Sequence, residues 1–512
     1  MEAASLRGGR SASITQIVAE AVRARSRAFW IVAGLTTLGA VLRFATLGVQ
    51  AYHHDEIVTA SRVLRVGFGH AMDAVGFSES APPLYYALAW LWTQLTGTSE
   101  WGLRSLSAVA GVVTIPVVYL IGRELRARRT GLLAAALVAV NPMLVWYSQE
   151  ARAYALLALF CALSLLFTVR ALHDGRRRDF TFWGIASALA LATHYFAVFP
   201  VLAEVVLLLR RRGRAVLAGL WIVVLAAVPL GALAYHQMSY GHAEWIGKFS
   251  LGHRVAETGI TFMVGETGDI IGRAEQYGPA LLPLSLAVAS FVLLALRGSG
   301  EERRSALVPL TVAAVALGIP LLLALVPGGK DFLLARNLLP GLIPLLLVVA
   351  IGLTADRARR LGAAVAALLL AYSLAFCLWA GASPQLHRPD WEAVAARLGE
   401  PDGPRATVTW VIGEAPLRYY LSTGAIQVKP SEGYDWLVRE VNFVSIGPAP
   451  PPPRRLIGPE FRAGGQEQVG ELYIRRYRVH GRELAPLRLR TLRYAPTNFR
   501  NNGVLLDGVG PD

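Results

Sequence analysis

The apolar positions of this chain fall in continuous runs, not in stripes. The runs 28–49, 101–122, 130–147, 151–169, 215–235, 279–296, 305–326, 338–354 and 361–381 are apolar almost throughout. Runs of this length predict helices that cross a bilayer, which takes about 20 residues. A membrane barrel would instead alternate apolar and polar positions. The stretch 180–209 is interrupted near Thr193-His194-Tyr195 and at Pro200. Each half is short for a crossing, so it predicts a shallow helical hairpin whose bend dips into the membrane. With its two halves counted, the expectation is eleven membrane helices. The segment 83–98 is also short and carries Tyr85, Tyr86, Trp90 and Trp92, which predicts a helix lying at the membrane interface. Beyond 383 the pattern turns polar. Trp391–Leu398 reads as a helix, and Thr407–Ile412, Asn442–Ile446 and Leu472–Val479 read as strands. The fold class is therefore an all-α polytopic membrane bundle, 28–383, followed by a small α/β domain, 384–512.

Composition agrees. Of 512 residues, 54% are hydrophobic and 17% charged, which excludes an ordinary soluble enzyme and a disordered chain. The formal charge of +15 does not point to nucleic acid. Much of it lies in short loops between apolar runs, not on one soluble face with aromatics between. The arginine clusters 123–129, 170–178, 210–214, 297–304 and 357–360, with the tail 1–27, mark loops on the cytoplasmic side. The first run then reads as an uncleaved signal anchor of a bacterial plasma-membrane protein. The segments 50–100, 147–152, 193–196, 236–278, 327–337 and 384–512 share the outer face. Cys161 and Cys377 sit inside apolar runs, so neither a disulfide framework nor a zinc-ligand cluster is expected.

The candidate chemistry lies in those outer segments. His53-His54-Asp55-Glu56 directly follows a membrane helix. A carboxylate there either serves as general base for a hydroxyl or caps and electrically matches the helix 56–66. Ser148-Gln149-Glu150-Ala151-Arg152 opens another membrane helix. Arg152 either binds a phosphate or snorkels to the surface. Lys330 and Arg336 head a further helix, where they either hold a phosphate or lie in a solvated loop. His194-Tyr195 marks the hairpin bend, and a lone histidine there is either a satisfied buried group or part of a site. A transporter would place its ionisable groups at mid-bilayer on broken helices, where only His194 and Glu204 are candidates.

These motifs resemble the GT-C superfamily of integral membrane glycosyltransferases, and within it the bacterial relatives of protein O-mannosyltransferases and lipid A aminoarabinose transferases. The resemblance runs over 28–400 and rests on several stretches. They are His54-Asp55-Glu56, Ala81-Pro82-Pro83-Leu84-Tyr85-Tyr86, Leu103-Arg104-Ser105-Leu106-Ser107, Ser148–Tyr154, Thr193-His194-Tyr195 and Arg336-Asn337-Leu338-Leu339-Pro340. It implies a polyprenyl-phosphate sugar donor and inverting transfer at the outer leaflet to a glycan, lipid or protein acceptor. It implies a catalytic aspartate where Asp55 stands and a second acid where Glu150 stands, with Glu56 beside the first. His54, Tyr85, Arg152, His194, Tyr195, Lys330 and Arg336 then fall on the substrate side. Many relatives carry a lysine before the interfacial helix where this chain has Ala81, so Arg152 or Arg336 must supply the phosphate contact.

A lipid phosphate leaves as a stable anion, so the reaction needs a base for the acceptor and cations for the phosphate. No nucleotide-binding glycine loop or DxD metal motif is evident, and no cofactor is expected. Two alternatives stay open: a glycan ligase or polymerase with a lipid-diphosphate donor, and a transporter or flippase of lipid-linked sugar.

Overall fold

The computed structural model describes residues 14–64, 67–210, 213–240, 246–266, 277–326, 331–410, 413–421, 424–428, 435–447, 452, 456–481, 483–489 and 503–508. Lys330 lies outside the described residues. Among them, eight helices are long and apolar enough to cross a membrane: Ser26–Phe44, Glu100–Leu125, Tyr154–Asp174, Val216–Met238, Gly278–Arg297, Gly300–Ala324, Ala335–Leu353 and Asp356–Ala382. A ninth is formed if Arg128–Val140 and Pro142–Ser148, which meet at 57°, are one bent span. This corrects the expected eleven. The difference is the hairpin, whose arms Arg177–Thr193 and Tyr195–Leu209 are shorter than a full crossing. The first helix begins at Ile14, inside the segment read as a tail. The interfacial candidate is a helix of 13 residues, Leu84–Thr96, also too short to cross.

The bend in the third span has a local cause. Asn141 caps the following helix through Leu144 N (3.0 Å), and Pro142 takes its first turn. Proline is tolerated there because its missing N–H would have no partner anyway. The Asn141 amide also donates to Phe262 O at 3.1 Å, fixing the bend against the helix Leu251–Val264 of the long loop.

Packing separates inner from outer helices. The span Ala335–Leu353 is 83% buried and forms the middle of the bundle, whereas Val216–Met238 is 17% buried and faces outward. Small residues set the closest approaches. A Cβ on Gly122 would lie 2.7 Å from the Gly131 backbone, so only glycine lets these two helices touch. Arg43, fully buried at the end of the first span, donates to the carbonyls of Gly39, Ala139 and Val138 and to Ser148 Oγ. Burial of a guanidinium is tolerable there because its donors find backbone acceptors.

The C-terminal region holds a six-stranded mixed sheet. Its strands are β1 (Arg405–Thr409), β2 (Ile426–Val428), β4 (Glu440–Ile446), β5 (Phe461–Val469), β6 (Leu472–Val479) and β8 (Gly503–Asp507), in the order β2-β8-β1-β4-β6-β5. Two further strands, β3 (Asp435–Val438) and β7 (Ala485–Arg488), pair separately. The helix Trp391–Leu398 and β6 have the expected bounds, and β1 overlaps the expected run, of which 411 and 412 lie outside the described residues. β1 is buried along its whole length, as a strand covered on both faces must be.

Candidate active site

The first loop begins with a short helix, His54–Val58, continued by a wider turn over Thr59–Val63. The cap of this helix is His53, not Asp55. His53 Nδ1 faces Asp55 N at 3.5 Å, and Glu56 Oε2 accepts from His53 N at 2.9 Å. This is a capping box with histidine in the place usually held by serine or threonine. His54 takes the first helical position, half-buried, and Asp55 the second. With the cap supplied by His53, the Asp55 carboxylate is directed elsewhere.

Asp55 and Glu56 have opposite surroundings. Glu56 is fully buried, and its carboxylate accepts four hydrogen bonds: Arg104 Nε and Nη2 at 2.8 Å each, Ala151 N at 2.8 Å and His53 N at 2.9 Å. Four is the full acceptor capacity of a carboxylate. Arg104 in turn spends its other donors on the carbonyls of Leu47, Gln50 and Ala51. The pair Glu56–Arg104 thus pins the first loop to the helix Glu100–Leu125 and to the turn that precedes Arg152. Glu56 has no lone pair left for a proton in flight.

Asp55 is open. Its side chain retains 29% exposure, and Arg336 Nη1 stands 3.4 Å from Oδ2 with 22% exposure of its own. Arg152 reaches the same loop. Its Nη1 donates to Asp55 O (3.4 Å), Thr59 Oγ1 (3.3 Å) and Glu79 Oε2 (3.0 Å), and Glu79 also accepts from Tyr86 Oη at 2.7 Å. Burial works to raise the Asp55 carboxyl, but Arg336, Arg152 and the neighbouring histidines together hold it well below the usual carboxylate range. Asp55 is accordingly an ionised acceptor beside two guanidiniums, of which Arg336 is 22% exposed and Arg152, paired with Glu79, 15%.

Glu150 is buried and paired with Arg388, Nη2 to Oε2 at 3.0 Å. Burial nevertheless pushes its carboxyl above the ordinary value; Arg388 opposes this, while Glu56 and Glu266 add to it. Tyr85 is fully buried, its ring 5.3 Å from that of Tyr86, and Arg152 is its main cationic neighbour. His194 accepts from Phe196 N at 3.2 Å through Nδ1, which leaves the proton of the neutral ring on Nε2. The ring lies 5.6 Å from that of Tyr154, and Arg152 and Arg336 act on it electrostatically. Tyr195 turns away from this cluster. Its hydroxyl donates to Gln237 Oε1, and Gln237 holds the carbonyls of Val75 and Ala81. It therefore buttresses the first loop from behind.

The fold also recruits residues that sequence reasoning did not single out for the site. Glu79, just before the proline pair, takes Arg152. Glu266 accepts from Tyr147 Oη. Arg388 lies in the link after the last span and reaches back 238 residues to Glu150. The only local signal for Arg388 is a charged residue seven positions after the last apolar run. Among the described residues, no group of three or more His, Cys, Asp or Glu is gathered for a metal ion.

Comparison with known proteins bears on the fold. Residues 80–236 match the family described as dolichyl-phosphate-mannose-protein mannosyltransferase. No curated protein matches the chain. The fold is similar to that of ArnT from Cupriavidus metallidurans bound to undecaprenyl phosphate, with TM-score 0.55 and 14% identity over 87% of this chain and 97% of that one. The apo state of ArnT from the same organism gives 0.56 and 15% over 88% and 98%. A looser likeness, TM-score 0.46 at 14% identity, joins 77% of this chain to 59% of an oligosaccharyltransferase from Archaeoglobus fulgidus. The motif resemblance and the fold therefore agree: the chain is a multi-pass membrane protein with the fold of ArnT, and its segment 80–236 matches the dolichyl-phosphate-mannose-protein mannosyltransferase family.

Proposed function

We propose that the chain is an inverting glycosyltransferase that moves a sugar from a polyprenyl phosphate to a hydroxyl of an envelope glycan, lipid or protein. The site and the C-terminal domain face the outside of the bacterial plasma membrane. The observation that carries this reading is the half-open Asp55 carboxylate, 3.4 Å from Arg336, with Arg152 bonded to the backbone carbonyl of the same residue.

Each group has a role in a single displacement. The acceptor hydroxyl lies against Asp55, and its oxygen forms the new bond to the anomeric carbon. Its proton passes to the Asp55 carboxylate as the bond from that carbon to the phosphate oxygen breaks. The released electron pair stays on the lipid phosphate, where Arg152 and Arg336 neutralise the developing charge. A phosphate leaving group needs no proton, which fits a site with one open carboxylate and two cations. His194 Nε2–H stands on the sugar side with Tyr85 packed behind the site, and Glu150 stands as the second acid.

The transport alternative is disfavoured by Glu204. This acid is fully buried and bound by Ser164 and by Trp183 Nε1 (2.9 Å), so it is enclosed rather than set along a path. The experiment is to incubate membranes containing the chain with labelled polyprenyl-phosphate hexose or pentose. Release of polyprenyl phosphate with label appearing in an acceptor is the expected result. Label recovered only as intact donor, or used only from a lipid diphosphate, rejects it.

A further inference from the structure

The link and domain beyond the last span touch the site at two places. Arg388 is 7% exposed, and its guanidinium lies 4.4 Å above the Trp146 ring while bonding Glu150. Its backbone N–H donates to Gln50 Oε1 at 3.0 Å. Further along, the helix Glu414–Tyr420 presents Tyr420, whose hydroxyl accepts from Tyr52 N at 2.7 Å and donates to Glu100 Oε1 at 2.6 Å. The neighbouring Tyr419 ring packs edge-on to Tyr52, centroids 5.9 Å apart. Tyr52 lies three residues before Asp55, and Glu150 two before Arg152. The post-membrane region therefore holds both walls of the site, the one that carries the base and the one that carries a phosphate-binding arginine.

We propose that Arg388 and Tyr420 are positioning residues, through which the C-terminal region clamps the turn 149–153 and the loop 50–55 together and so sets the distance between Asp55 and Arg152. This rests on the proposed glycosyl transfer. The clamp is electrostatic on one side and hydrogen-bonded on the other. Glu150 is faced by Arg388 and His53, which favour its charged form, and by Glu56 and Glu266, which oppose it along with burial. Arg388 bonds it directly, Nη2 to Oε2 at 3.0 Å. With Arg388 removed, Glu150 takes up a proton at a higher pH and loses the ion pair that ties its turn to the link after the last span. A misplacement of a reacting group by about 1 Å is enough to slow a reaction about 100-fold.

The test uses the full chain in membranes. Arg388→Gln should lower kcat at pH 7 at least about tenfold. The acidic limb of its pH–rate profile should lie higher than that of the wild type, so that activity recovers as pH rises. Arg388→Lys should restore most of kcat and the original limb. Tyr420→Phe, which removes both bonds with little change of volume, should lower kcat several-fold with a small change in donor KM. In a Glu150→Gln background, Arg388→Gln should add little further loss. A profile for Arg388→Gln that superimposes on the wild type, or losses at Glu150 and Arg388 that simply multiply, overturns the proposal. If Arg388→Gln does not accumulate, Tyr420→Phe carries the test, and wild-type kcat in that variant rejects it. A wild-type chain that transfers no sugar rejects the proposed function itself, a result distinct from either of these.

Discussion

The two ends of the bundle are built from the same residue types and use them in opposite ways. At one end Arg126 bonds Glu301, Arg129 bonds Asp356 and Arg123 bonds Glu124, all on the surface; Arg129 and Asp356 keep 37% and 56% exposure. At the other end the side chains of Arg104 with Glu56 and of Arg388 with Glu150 are at most 6% exposed. Arg104 and Arg123 sit on one helix, near its two ends. An exposed pair contributes about 0–1 kcal/mol, because water and salt screen it and either partner is well solvated alone. Breaking a buried pair costs about 3–5 kcal/mol, because the remaining charge has no water to return to. So the surface end can be described by counting charges, while the site end depends on who meets whom. A third class stands between them: Asp55, Arg336 and Arg152, paired but open.

The sharpest way to break that comparison is Asp55→Asn. The change keeps size, and the helix cap belongs to His53, so the fold should be retained. Sugar transfer should fall about 10²–10⁴-fold, the usual contribution of a positioned base. Membrane amount and turnover, measured together, check it. Normal turnover by a well-expressed variant would remove Asp55 as the base. The pH dependence sharpens the point. The cations hold Asp55 well below the ordinary carboxylate range, so it stays ionised as pH falls through the weakly acidic region. Any loss of activity that sets in there should come from the raised Glu150 and should disappear in Glu150→Gln if that variant retains turnover.

Arg104→Gln tests the closed class. It leaves Glu56 buried without its partner and frees the carbonyls of Leu47, Gln50 and Ala51. The expected loss is about 3–5 kcal/mol, seen as a lower yield of folded protein in detergent and an earlier melting transition. Retention of wild-type stability would mean that the buried pair does not anchor the loop.

Arg336→Gln tests the open class. It removes one charge-assisted contact, so transfer should weaken by about 2 kcal/mol, or roughly 30-fold. The melting transition should hardly move, because the guanidinium is not enclosed. A stability loss as large as that of Arg104→Gln would place Arg336 with the closed pairs instead.

Much of this was legible in the chain and some could not have been. Run length marks the membrane helices, because a bilayer imposes one thickness on all of them. It over-counts at the hairpin 177–209, whose arms are apolar but short. Asp55, Glu150, Arg152 and Arg336 are legible as charges next to helix ends. Their pairing is not, because Asp55 and Arg336 lie 281 positions apart and Glu56 and Arg104 lie 48 apart, and no local spacing encodes either meeting. The cap is an instructive failure. Asp55 is a favoured capping residue, but the glutamate three positions after His53 is the actual mark of the capping box. β5 was invisible for a different reason: Gly464-Gly465 with glutamines lack strand character, and the strand is accommodated by a bulge there, with Gly465 at φ 110°.

The smallest effect is expected at the opposite end. Arg129→Gln removes one exposed partner of Asp356, while Arg126 remains to bond the same carboxylate. Both groups are solvated whether paired or not, so the change should cost at most about 1 kcal/mol and shrink further as salt is raised. Sugar transfer should be unchanged, since the site is some 20 residues of helix away, on the order of 30 Å. What the residue does share with its neighbours is sign. Removing one arginine of the 123–129 cluster leaves three, so the loop keeps its positive sign. Melting curves at low and high salt, together with transfer assays, check this. A loss comparable to that of Arg104→Gln would erase the distinction between the two ends of the bundle.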